Sequence, residues 1–179
     1  MAAISAPMTI EEFDRSELPE NFELHHGEPV AMTLPVLEHR EIQEAVRDLL
    51  KRAFPQAHIL IEYTFAVAGS NDKRSADVGM TTRQRRKDSR RGALIGAPEL
   101  VVEVLSPSNS VLKLNEYRRL CFQNGTLVFL TVDSDEKNVE VHLKDVRTAR
   151  TWTVGEEIPL ELWGDTRRIA VDAIFAGAE

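Results

Sequence analysis

The run Pro98-Glu99-Leu100-Val101-Val102-Glu103-Val104-Leu105-Ser106-Pro107-Ser108 constrains this chain most. Five of the seven residues from 99 to 105 are Leu or Val, and a proline stands on each side of them. An apolar run without alternation, stopped by proline at both ends, predicts a short strand covered on both faces. Glu103 interrupts the run. A carboxylate in such a strand is costly to bury unless it is paired, hydrogen-bonded or on a metal.

A second acid fits the same logic. Asp77 lies in Ala76-Asp77-Val78-Gly79-Met80, another strand-like piece. Two acids on neighbouring strands, aimed into one cleft, suit a hard cation such as Mg²⁺ or Mn²⁺. The alternative is that both acids close strand ends facing solvent.

A chain of 179 residues is long enough for one domain, residues 1–179, with a real core. No apolar run approaches the ~20 residues that span a bilayer. The start, Met1-Ala2-Ala3-Ile4-Ser5-Ala6-Pro7, lacks the basic and apolar regions of a secretory signal. A single cysteine, Cys121, excludes an internal disulfide framework and fits a cytoplasmic protein. The net charge of −7 argues against a generic nucleic-acid coating protein. A nuclease stays open, because catalytic carboxylates count as negative until a metal binds.

The remaining pattern predicts an α/β fold, a mixed central sheet flanked by helices. Thr9-Ile10-Glu11-Glu12 is a capping box that opens a short helix. Two short strands surround a His26-Gly27 turn. Ile42, Ala45, Val46, Leu49, Leu50 and Ala53 recur at helical spacing and predict a helix over residues 38–54. Ile59, Ile61, Tyr63, Phe65 and Val67 alternate and predict one face of a half-covered strand. After the Glu103 strand come a helix over residues 109–123, capped by Asn124-Gly125, and strands near residues 127–132, 139–143 and 150–154. A short closing helix follows at residues 172–176. Trp152 and Trp163 read as core or interface residues.

Six of the nine residues from 83 to 91 are basic: Arg83, Arg85, Arg86, Lys87, Arg90 and Arg91. They predict either a solvated loop or a loop that contacts nucleic-acid phosphates. No aromatic residue is interleaved for base stacking, which favours the solvated loop.

Asp77, Glu103 and a lysine soon after form the constellation of a metal-dependent phosphodiesterase. Two carboxylates hold the ion, a backbone carbonyl such as that of Val104 completes its shell, and an ammonium stabilises developing charge. On these residues the chain resembles the bacterial putative restriction endonuclease family (the Uma family) of the PD-(D/E)XK nuclease superfamily. The matching stretches are Met8-Thr9-Ile10-Glu11-Glu12-Phe13, Phe22-Glu23-Leu24 with Gly27-Glu28, His39, Ala76-Asp77-Val78-Gly79, Gly96 through Ser108, and Leu120-Cys121-Phe122-Gln123-Asn124-Gly125. The resemblance implies a restriction-endonuclease-like core, Mg²⁺ at Asp77 and Glu103, and DNA as substrate. Glu23 and His39 match family positions, with His39 near the cleft.

The chain departs from that pattern in three places. Ala76 replaces the proline before the first acid. Leu105 fills the superfamily's lysine position two residues after the second acid. Tyr117 fills the position on the next helix where the family supplies a lysine instead. A tyrosine is neutral at pH 7 and cannot replace a fixed positive charge. Lys113 lies one helical turn earlier and offers a migrated lysine. Two functions follow as expectations: a Mg²⁺-dependent endonuclease, or a catalytically impaired relative that binds DNA or protein. A homodimer would suit cleavage of both strands of a duplex.

Overall fold

The computed structural model describes residues 6–19, 21–32, 36–89, 93–106 and 110–177. Pro107 and Ser108 of the central motif, and Arg90 and Arg91 of the basic run, lie outside the described residues. The elements are α1 (Ile10–Arg15), β1 (Phe22–His25), β2 (Glu28–Ala31), α2 (Leu37–Ala53), β3 (Ala57–Ala66), β4 (Lys73–Thr82), α3 (Arg83–Asp88), β5 (Leu94–Ile95) and β6 (Leu100–Val104). They continue with α4 (Val111–Gln123), β7 (Val128–Asp133), β8 (Asn138–Leu143), β9 (Arg150–Thr153), β10 (Glu157–Leu162), β11 (Asp165–Ala170) and α5 (Asp172–Phe175). No helix among the described residues is long and apolar enough to cross a membrane.

A nine-stranded mixed sheet runs β2-β1-β4-β6-β7-β8-β9, with β3 on the other edge of β4 and β5 beside β3. The Glu103 strand is β6. It pairs antiparallel with β4 and parallel with β7, and α4 makes the crossover that a parallel pair requires. Leu100, Val101, Val102 and Val104 are at most 2% exposed, as a strand covered on both faces must be. Leu100, Val102 and Val104 join the core under α2, which also takes in the β10–β11 hairpin and α5. Val101 joins a second core under α4, with Phe129, Tyr117 and Cys121.

The expected face of β3 is corrected. Ile59 and Ile61 pack into the α2 core, whereas Tyr63, Phe65 and Val67 pack into the α4 core. Strict alternation would keep all five on one side. The reversal falls at Glu62, whose φ of 48° lies in the left-handed region. On β4 the switch falls between Ala76 and Val78, at Asp77. Gly79 makes room for the relocated Tyr63: a Cβ at residue 79 would stand 2.5 Å from Tyr63 Cβ.

The basic run is corrected as well. Residues 83–88 form helix α3, capped by the Thr82 hydroxyl, rather than a loop. The β10–β11 hairpin was not anticipated, although Ile158, Leu160 and Leu162 alternate as buried residues around exposed ones.

Candidate active site

The topology leaves a gap along one edge of β4. β3 pairs with β4 from Lys73 to Thr82, interrupted only at Glu62 and Asp77, so β1 and β6 share the opposite edge. β1 meets it at Lys73 and β6 at Val78 through Met80. Between these points the β4 backbone has no strand partner there. Side chains supply what the ladder does not. Ser75 N–H donates to Glu23 Oε1 at 2.6 Å and Asp77 N–H to Glu103 Oε1 at 3.3 Å. Tyr117 Oη donates to the Ser75 carbonyl at 2.9 Å. Backbone groups left without such partners would be costly in a half-buried site.

Asp77 stands in the middle of this gap. Its Oδ2 accepts the Val104 N–H at 2.7 Å. Its Oδ1 accepts Gln43 Nε2 at 3.0 Å, and His39 Nε2 lies 3.2 Å away. Gln43 is buried on α2 and also donates to Glu62 Oε1 at 2.9 Å. The helix α2 thus sets the Asp77 rotamer from one side while β6 fixes it from the other.

Glu103, Asp77, Glu23, Glu62, His39 and Arg74 all border one cleft of about 1060 Å³ between α1, β1 and the start of α2. Two of these acids, Glu103 and Glu62, are raised by burial and by the charge of Asp77. Burial, the Asp77 charge and the Glu23 charge hold the Glu103 carboxyl well above the usual carboxylate range, against the Asp77 N–H bond and the Arg74 charge. Burial, with the Asp77 charge, also raises Glu62. Burial would lower His39, but its hydrogen bond to Asp77 and the charges of Asp77 and Glu62 together raise it.

The geometry brings Asp77, Glu103, Glu23 and His39 together and separates other expected residues from them. Lys113 is exposed and lines a different groove, between the β1–β2 hairpin and α4. Tyr117 is 7% exposed, packed against Phe65 and Phe129, with its hydroxyl on the Ser75 carbonyl. Val104 turns its N–H, not a described carbonyl contact, toward Asp77.

The basic helix lies at the other end of β4. Six residue steps of strand, roughly 20 Å, separate Asp77 from Arg83. Arg83 donates to the carbonyls of Pro55 and Ala57, at 2.9 and 3.5 Å. Arg85 donates to the carbonyls of Ile95 and Ala97, both at 2.9 Å, and pairs with Glu99 at 3.0 Å. These two arginines bind the protein's own backbone, so their forks are not free for phosphate. Gly96 is part of the same clamp, since a Cβ there would meet the Arg85 guanidinium and the Asn124 carbonyl at 2.8 Å. Among the described residues, the side chains of Arg86 and Lys87 form no hydrogen bond to a backbone carbonyl like those of Arg83 and Arg85.

Sequence reasoning missed Arg74, Gln43 and Glu62. Arg74 lies just ahead of the stretch read for Asp77, Glu62 sits on a strand read for its apolar face, and Gln43 stands among polar residues of an amphipathic helix.

The chain's sequence matches the Uma2 family, described as putative restriction endonuclease, over residues 10–170. It belongs to that family. No curated protein matches it. Among solved structures, it is similar to a putative nuclease belonging to DUF820 from Anabaena variabilis ATCC 29413. The TM-score is 0.81 at 19% identity, covering 97% of this chain and 100% of that one. The two chains therefore share one fold.

No group of three or more His, Cys, Asp or Glu side chains among the described residues is placed to hold an ion. Asp77 and Glu103 are the two carboxylates joined through backbone N–H groups across the β4 gap. Such a pair fits Mg²⁺, which keeps several waters and commonly takes one or two carboxylates plus substrate phosphates.

Proposed function

We propose that this protein is a divalent-metal-dependent endonuclease that hydrolyses phosphodiester bonds in DNA. The observation that carries the reading is the pairing of Asp77 and Glu103 across the β4 gap, at the wall of a cleft. Asp77 and Glu103 would hold Mg²⁺ or Mn²⁺, which supplies charge neutralisation at the phosphate and an acidified water. Gln43 and His39 hold Asp77 in one rotamer. Glu23 keeps the β4 backbone in place beside it. His39 is also within the cleft, where its imidazole can exchange a proton with a water or donate to a phosphate oxygen. Membership of the Uma2 family supports the same reading.

A second reading is a binding module without catalysis. It is favoured by Leu105 and Tyr117 at the positions where lysine was expected, and by the separation of Lys113 from the acids. Incubation with supercoiled plasmid DNA and Mg²⁺ or Mn²⁺ tests the choice. The nuclease reading expects nicked or linear product from the native protein and none from folded Asp77→Asn. Binding of the same DNA without product in either metal supports the module.

A further inference from the structure

We propose that Arg74 grips a phosphate of the bound nucleic acid, serving as the cleft's fixed positive charge; this rests on the nuclease reading for its substrate. Arg74 lies on β4 three residues before Asp77 and borders both the acid cleft and the groove between the β1–β2 hairpin and α4. It therefore forms part of the wall between two openings. Its side chain is 14% exposed.

The side chain is held in one orientation. Nε donates to Glu23 Oε2 at 3.1 Å, and the guanidinium lies over the Tyr117 ring, 5.0 Å from its centroid. Stacking on an aromatic face suits the flat guanidinium. Tyr117 in turn is fixed by Phe65, Phe129 and the Ser75 carbonyl. The role of Tyr117 is thus to support the cation.

The Nη edge is different. Nη1 lies 3.9 Å from Asp72 Oδ1, beyond hydrogen-bond range. No hydrogen bond from Nη1 or Nη2 is present among the described residues. A guanidinium carries five N–H donors, and only one is used here. The remaining donors are not sealed from water, and they need an acceptor with several oxygens to replace it when a ligand fills the cleft. A phosphate matches that need bidentately.

The other cations of the cleft are engaged or peripheral. Lys73 pairs with Asp14 at 2.5 Å, His39 lies against Asp77, and Arg40 is exposed on α2. Arg74 is the one that is fixed, little exposed and unsaturated at its fork. A cleft carrying Glu23, Glu62, Asp77 and Glu103 needs such a charge to admit a polyanion.

The test uses the full chain and a fluorescent 20-base-pair DNA duplex. Affinity is measured against salt in Ca²⁺, and cleavage of the same duplex in Mg²⁺ and Mn²⁺. Arg74→Gln is expected to lower the slope of log affinity against log salt by about 0.9, one phosphate contact. Its kcat is expected to fall by about a hundredfold, the scale of one lost charge-stabilising donor. Arg74→Lys should keep the slope and cleave roughly tenfold more slowly, having charge without a fork. Lys144→Gln, on an exposed turn, controls for loss of a distant charge. A purely structural arginine could lower the melting temperature without moving the slope. If Arg74→Gln fails to fold, Arg74→Lys decides, and native cleavage and affinity in that variant overturn the proposal. Native slope and cleavage in folded Arg74→Gln overturn it while leaving the nuclease reading intact. A slope change in Arg74→Gln with no cleavage by the native protein supports the phosphate grip and defeats the nuclease reading. Absence of duplex binding by the native protein overturns both.

Discussion

Asp77 and Glu103 each accept a backbone N–H from the strand that carries the other. Val104 N–H donates to Asp77 Oδ2 at 2.7 Å, and Asp77 N–H donates to Glu103 Oε1 at 3.3 Å. The exchange substitutes for ladder bonds where β4 and β6 part. It also buries Glu103 beside the Asp77 charge, so the geometry that builds the site opposes the ionisation of Glu103.

That opposition predicts the pH dependence of the metal-free protein. Burial and the neighbouring acids raise Glu103 and Glu62 above 4.5. For His39, burial pulls downward, but Asp77 and Glu62 leave it above 6.5. A raised folded pKa means that the folded state binds more protons than the unfolded state, so stability falls as pH rises. The loss should begin above pH 4.5 for the two glutamates and above pH 6.5 for His39, continuing through their raised values. Melting temperatures from pH 4.5 to 9 should decline in the native protein and decline less in Glu103→Gln. An equal decline in both would contradict the assignment to Glu103.

Gly79→Ala should destabilise the protein by about 1–3 kcal/mol, the usual cost of overpacking. The added Cβ would stand 2.5 Å from Tyr63 Cβ and 2.6 Å from Cγ. Truncating the ring removes only part of that clash, so Tyr63→Ala should make the Gly79→Ala cost smaller but not zero. Urea denaturation of the double-mutant cycle checks the coupling.

Arg85→Ala should cost about 2–3 kcal/mol, the scale of losing charged hydrogen bonds in a partly buried site. Its effect belongs to folding, because the guanidinium ties the carbonyls of Ile95 and Ala97 and the carboxylate of Glu99. Denaturant curves should shift while the salt slope of DNA binding stays native.

Cys121 is fully buried on the sheet-facing side of α4, and burial pushes its thiol far above the usual range. Thiol reagents at pH 8 should leave the native chain unlabelled and modify one cysteine per chain after unfolding. Rapid labelling without denaturant would contradict the packing of α4 on the sheet.

Much of this was legible before the fold was known, and the reasons differ by residue. Glu103 was visible because one charge in an unbroken Leu/Val run violates the pattern of a doubly covered strand. The long helix was visible because Ile42, Val46 and Leu50 keep helical spacing and are buried as that spacing requires. The face reversal at Glu62 was not visible, since a left-handed φ at a glutamate leaves no mark on apolar alternation. Charge counting grouped Arg83 and Arg85 with solvated or phosphate-binding residues, whereas backbone carbonyls across the fold decide what they bind. Arg74 escaped notice for a related reason: its significance lies in Glu23 and Tyr117, which are distant in sequence.

The central claim is that Asp77 and Glu103 together hold a divalent ion. Isothermal titration of Mg²⁺ and Mn²⁺ into the native protein, Asp77→Asn and Glu103→Gln, in the presence of uncleavable phosphorothioate DNA, tests it most directly. Both substitutions keep an oxygen that can accept the observed N–H. The account predicts saturable binding by the native protein and a loss of at least about tenfold in affinity in each variant, the smallest effect expected when one of two charged ligands becomes neutral. Equal ion affinity in all three proteins would contradict it.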